Sequence, residues 1–153
     1  MGWKGQVLMA DHHPNATYVE AISAILIQFF VPTAGEDHLV DKCIDQLIET
    51  YLFDGLHENE AARIVNSQLK FHRSDLSVND RSNWLQTKVN ILPCELRKRT
   101  FAMLAYQFYF ASDGELNDET TEVLDRAAQL LGLPPLESGK IIEVCEILTR
   151  PIA

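Results

Sequence analysis

Cysteine is scarce in this 153-residue sequence, and the three that occur, Cys43, Cys94 and Cys145, are widely separated and form no Cys-x-x-Cys pair. That spacing gives no basis for a disulfide framework or a thiolate zinc site, and a reducing cytoplasm is the expected compartment. Each cysteine falls within an apolar helical pattern, where it is expected to act as a small buried hydrophobe. Positive charge is also in short supply: 13 Lys and Arg face 22 Asp and Glu, for a net charge of −9. Nucleic acid and anionic membrane surfaces demand a basic face, so neither is an expected partner; a basic protein or a cationic ligand suits the charge better. The longest apolar runs, Ala21 to Val31 and Phe101 to Ala111, fall well short of the roughly 20 residues that span a bilayer. The first residues carry only Gln6-Val7-Leu8-Met9-Ala10 after Lys4, too little for a signal-peptide core. Neither insertion nor export is expected. Period-two alternation bounded by turn signals is missing, so strands are not expected. With no nucleophile motif and no glycine-rich phosphate loop, the chain is not expected to be an enzyme.

What is present is helical periodicity. The length suits one domain, here residues 15–153, preceded by an arm over residues 1–14 that contains two glycines and shows no sustained period. Val19, Ile22, Leu26, Phe29 and Phe30 place one helix from Asn15 to a stop at Pro32. Leu39, Val40, Cys43, Ile44, Leu47, Ile48, Tyr51 and Leu52 make a second, with Asp41, Asp45 and Glu49 along its solvated row. A third runs from about Asn59 to Leu69 and buries Ala62, Val65 and Leu69, with His72 just beyond it. Ser77 to Asp80 forms a capped start for a fourth, which carries Trp84, Leu85, Lys88, Val89 and Leu92 and is closed by Pro93. Between Cys94 and Ala111 so many apolar and aromatic residues gather that this fifth helix is expected to be the central one. A sixth starts near Asn117 and stops at Gly132; a seventh carries Ile141, Val144, Cys145 and Leu148 and ends by Pro151. The expected fold class is all-α, a compact bundle of about seven helices.

An offset of 79 residues aligns Gln28, Phe29, Gly35 and Glu36 with Gln107, Phe108, Gly114 and Glu115. Downstream it sets Ile44, Ile48 and Leu52 against Val123, Ala127 and Leu131. The unit so repeated is an apolar helix, a glycine-containing loop and an amphipathic helix.

The second of these loops carries the chain's most informative motif. An apolar helix ends in Ala111-Ser112-Asp113-Gly114, followed by Leu116 and Glu119, and the next helix closes on Leu131-Gly132-Leu133. Over about 40 residues this resembles the second half of TerB-like (tellurite-resistance) domains. The resemblance implies a compact helical bundle, a non-enzymatic role in resistance to tellurite or other stress, and an acidic surface for a divalent metal ion. It also implies an alternative: such domains occur attached to DnaJ-like co-chaperones, where protein–protein interaction without metal is the expected role. Where the family has a glutamate seven residues after the aspartate, this chain has Thr120, with Glu119 beside it. In the first-half loop, Ala34 and Val40 stand at the positions of the family's acids.

Two chemistries fit the loop. Asp113 can accept backbone hydrogen bonds, Gly114 can take a positive φ, and Asn117 can cap the next helix with Asp118 and Glu119 facing its positive end. Alternatively, Asp113, Glu115 and Glu119, with Asn117 between them, offer oxygens to a hard cation such as calcium; zinc is the other candidate ion. An EF-hand is excluded, because its glycine position is Asp118 and its bidentate glutamate position is Leu124. Elsewhere, Asp11-His12-His13 offers imidazoles but lacks the further acidic motifs that phosphoester chemistry needs, and His38, His57 and His72 share no ligand spacing. Arg97-Lys98-Arg99 is the one dense basic cluster; it opposes the dipole of its helix, and it reads either as a solvated face or as a contact with an acidic surface on this domain or on a partner.

Overall fold

A computed structural model of the chain describes residues 14–34, 36–74, 76–112, 114–150 and 152. Among these residues there are seven α-helices and no strand. They are α1 (Ala16–Ala34), α2 (Asp37–Phe53), α3 (Glu58–His72), α4 (Val78–Ile91), α5 (Cys94–Ala111), α6 (Asp118–Leu130) and α7 (Pro135–Thr149).

The helix boundaries follow from local chemistry. Ser77 caps α4 by accepting the Asp80 amide at 3.1 Å. Pro93 occupies the N-cap of α5, and α7 begins with Pro134 at its N-cap and Pro135 as its first residue, where a missing N–H costs nothing. At the end of α6, Gly132 takes φ of +72°, and the Leu133 amide returns to the Ala128 carbonyl at 2.9 Å, burying Leu133 against the core. The end of α2 has the same form, with the Leu56 amide on the Tyr51 carbonyl. Arg81 of α4 reaches across to the carbonyls of His72 (2.9 Å) and Ser74 (3.1 Å), a cation on the exposed acceptors at the end of α3.

Three expectations are corrected. Pro32 does not end α1, which continues to Ala34. Proline in the last turn deprives only the Gln28 carbonyl of its donor, and the Thr33 hydroxyl bonds the Phe29 carbonyl at 3.0 Å beside it. The buried row of α3 is Ala61, Ile64, Val65, Gln68 and Leu69, so Ala62 is only half-buried, and His72 is the helix's last residue. The central helix is α1 rather than α5. Ala21, Ile22, Ser23, Ala24, Ile25, Leu26 and Ile27 are all buried in succession, a run that leaves α1 no polar face. An 18-residue window of α1, Ala16–Thr33, is long and apolar enough to cross a membrane (mean hydropathy 1.4), yet it sits inside the bundle with α2, α3, α4, α5 and α6 packed around it.

α1 packs chiefly on α3, and α5 chiefly on α7. The two pairs meet where α1 crosses α5, with Phe30 stacked on Phe108 at 5.5 Å. The Tyr51 hydroxyl of α2 is buried on Ser23 of α1 at 2.8 Å, and Lys88 of α4 reaches Glu20 of α1 at 2.9 Å. Each of these polar contacts fixes a neighbour's register on a helix that otherwise offers only apolar surface.

Truncating Leu26 to Ala removes a fully buried side chain, and the expected loss in urea unfolding is about 2–5 kcal/mol. Val144→Ala, on an exposed flank of α7, should cost well under ~1 kcal/mol. Equal losses would contradict this placement of the core.

Candidate functional site

The Asp-Gly loop is built largely as a turn and a cap. Gly114 has φ of +89°, a conformation that favours glycine, and its amide donates to the Tyr109 carbonyl at 2.8 Å. Asn117 is the N-cap of α6: its Oδ1 accepts the Thr120 amide at 2.8 Å, while the Thr120 hydroxyl accepts the Asn117 amide at 3.0 Å. Thr120 thereby performs the reciprocal half of a capping box that a glutamate usually supplies. Asp118 and Glu119 lie in the first turn, exposed and facing the positive end of the helix. Of the expected ligands, Glu115 and Glu119 are both exposed, Asn117 Oδ1 is committed to Thr120, and Asp113 lies outside the described residues. Among the described residues, no three His, Cys, Asp or Glu side chains converge as a metal-binding group. Two exposed carboxylates fall short of the six to eight oxygens that calcium gathers. Asp11, His12 and His13 also lie outside the described residues.

The basic cluster is spent within the domain. Arg99 clamps Asp54 at the end of α2 through two bonds of 2.9 and 2.7 Å, Lys98 meets Glu137 of α7 at 2.7 Å, and Arg97 donates to the Leu92 carbonyl at 2.9 Å. Residues that oppose their own helix dipole are therefore ties from the start of α5 to α2 and α7.

Those ties anchor the end of α2 and the start of α7 to the start of α5. Between α2 and α7 runs an open groove of about 650 Å³. Its floor is Ala102, Met103, Tyr106 and Gln107 of α5; one wall is Gln46, Leu47, Thr50 and Phe53 of α2; the other is Ile141, Val144, Cys145 and Leu148 of α7. Phe53 is 93% exposed and Leu148 69%, and Val144 and Tyr106 are exposed as well. Arg99, Glu49 and Lys140 also line it. A smaller hollow of about 170 Å³ adjoins it, sharing Gln46 and Gln107 and adding Phe30, Cys43 and Phe110.

Some polar groups of the groove are already engaged. Arg99 is held by Asp54 and the Thr50 hydroxyl donates to the Gln46 carbonyl at 2.8 Å, whereas Gln107 meets the Cys43 thiol but leaves its Oε1 buried without a hydrogen-bond partner among the described residues. Burial pushes that thiol up to about 12, the bond from Gln107 only partly opposing it. Burial also raises Cys145 above its ordinary value. Both thiols are accordingly packing groups rather than nucleophiles. What the groove offers is apolar surface in contact with water, the kind that marks an interaction site. The sequence pattern contains every residue of this groove, but periodicity cannot tell an apolar helix face that is covered from one left open.

Comparison with protein-family models, curated proteins and solved structures found no match to the chain.

Two measurements check the local assignments. Asn117→Ala should lower stability by about 1 kcal/mol, and Asp113→Ala should leave that capping contribution in place. Cys43 keeps its proton in the native protein to about 12 but loses it from its ordinary 9.0 when unfolded. Its share of stability is complete below pH 9 and is lost as pH rises, by up to ~1.4 kcal/mol per unit. Urea midpoints measured from pH 7 to 11 should therefore fall above pH 9. In Cys43→Ala the fall above pH 9 should be shallower, because only Cys145 of the two raised thiols then remains, with Tyr51 and Tyr109 adding to it above pH 10. Identical pH curves for the two proteins would contradict the assignment.

Proposed function

We propose that the chain is a non-enzymatic, TerB-like stress-response domain of the cytoplasm that works as a protein-interaction adaptor, receiving an apolar segment of a basic partner in the α2–α5–α7 groove. One observation carries this reading: the groove is an open trough lined mainly by apolar side chains, several of them exposed. Binding there gains from burying apolar surface, about 25 cal/mol per Å², with the aromatic rings of Phe53 and Tyr106 as natural anchors. Glu49 of α2 lines the trough, Asp41 and Asp45 are exposed on the same helix, and the net charge of −9 favours approach of a basic protein. The capping box at Asn117 and Thr120 accounts for much of the acidic loop without an ion, which favours the metal-independent form of the role.

Cross-linking capture from cytosol, followed by identification of the captured protein, tests the reading. A partner should be held by the wild type and by Asp113→Ala in the presence of a chelator. Val144→Asp or Leu148→Asp should reduce its recovery at least roughly tenfold, since a buried unpaired charge costs more than 1.4 kcal/mol. Recovery should also weaken as salt rises. Undiminished capture by both groove variants would refute the groove. Loss on chelation and in Asp113→Ala would move the function to a calcium or zinc site at Asp113, Glu115 and Glu119.

A further inference from the structure

The groove lies beside the point at which the described chain begins. Asn15, immediately before α1, donates from its side-chain amide to the Asp54 carbonyl at 3.1 Å. Asp54 follows Phe53 and clamps Arg99, and both of those residues line the groove. The described chain therefore begins beside the Phe53–Arg99 end of the trough. We propose that residues 1–13 of the same chain occupy the groove in cis and that a partner must displace them. This rests on the reading of the groove as a docking site and adds a regulation to it.

Reach, chemistry and tethering all support this occupant. The groove floor runs along α5 from Arg99 to Gln107, about 12 Å at 1.5 Å per residue. Thirteen residues cover about 20 Å even at helical rise and up to ~43 Å when extended, so the segment spans the floor in either case. It carries Trp3, Val7, Leu8 and Met9, four large apolar side chains within seven positions. Trp and Met are enriched at protein interfaces, and Met adapts to irregular apolar surface. The segment's only lysine is Lys4, and Glu49 on the α2 wall provides a carboxylate of opposite sign. Attachment through Pro14 and Asn15 makes the contact intramolecular, with an effective concentration in the millimolar range for so short a tether. Modest complementarity is then enough to fill the groove, and an outside partner has to exceed it. Covering the trough in this way also removes from water the exposed Val144 and Leu148, which the seven helices leave uncovered.

The test uses the isotope-labelled full chain with no partner in the sample. Nuclear Overhauser contacts are expected between the Trp3 indole and the methyl groups of Val144 and Leu148, and they should persist on dilution. The full-length double variant Trp3→Ser/Leu8→Ser should lose these contacts, shift the same methyl resonances and raise the fluorescence of a hydrophobic dye. Its far-UV circular dichroism should not change. On the groove side, Val144→Asp should release the Trp3 signals to the positions they hold in a peptide of residues 1–13. Absence of arm-to-groove contacts, with methyl resonances unaltered by the double variant, would overturn the proposal. So would contacts that fade on dilution in step with a dimeric mass, which would make a second copy the occupant. Neither result involves partner capture, so the adaptor reading is judged separately by the cytosolic experiment.

Discussion

The constraint on which the bundle depends is the need to enclose α1. Its residues from Ala21 to Ile27 are buried without interruption, so no orientation of this helix presents water with a polar face. At about 25 cal/mol per Å², leaving even one side of it exposed would consume much of the few kcal/mol by which a domain is stable. The remaining helices are disposed accordingly: α3 and α4 cover one side, α5 another, and α2 and α6 close the rest. The few polar contacts made to α1, Ser23 with Tyr51 and Glu20 with Lys88, act as register marks on an otherwise featureless cylinder. This arrangement also gives the loops their task. The Asp-Gly loop and its capping box turn the chain between α5 and α6 so that Val123, Leu124 and Ala127 return to the core.

The groove is the other side of the same solution. α5 gives Phe101, Leu104 and Phe108 to the core, but Tyr106 and Phe110 lie elsewhere on the helix and stack on each other at 6.3 Å while remaining exposed. Only α2 and α7 are placed to cover that side, and each is held at a set separation by an ion pair to the start of α5, Asp54 with Arg99 and Glu137 with Lys98. A bidentate pair such as Arg99–Asp54 specifies geometry as well as attraction. The basic cluster therefore ties both flanking helices at one end of the groove, and α7 presents Val144 and Leu148 to water.

How much of this was legible in the residues depended on whether the deciding interaction was local. Caps and stops are local: Ser77, Pro93, Asn117 and Gly132 act where their chemistry predicts. The number of helices and the absence of strands among the described residues also follow from periodicity. The choice of central helix did not, because α1 and α5 are both rich in apolar residues and their burial differs only through what packs on them. In α3, Val65 and Leu69 are buried as the pattern predicts, and only Ala62 stands one residue late, for a related reason. The helix's register is set by Ala61, Ile64 and Gln68, a small residue and a buried amide, which weigh little in a hydrophobic pattern. For the candidate site, Asn117 and Gly114 were legible as cap and turn. Thr120 was noted only as a departure from the TerB-like pattern, although a hydroxyl at that position can close a capping box as a carboxylate does.

That substitution bears on how the acidic loop and the groove share the function. A glutamate at position 120 would bring a charge to the loop; the Thr120 hydroxyl accepts the Asn117 amide and donates to oxygens of the same residue, so it supplies the bond and no charge. The described loop consequently retains its structural role at α6 while its side-chain oxygens turn inward or stay single on the surface. The groove has the opposite character, since its lining is mainly apolar and much of that apolar surface is left in water. Free energy remaining to be gained by this fold thus lies mostly in covering Phe53, Tyr106, Val144 and Leu148, and the binding role proposed for the groove rests on that surface rather than on any charge in the loop.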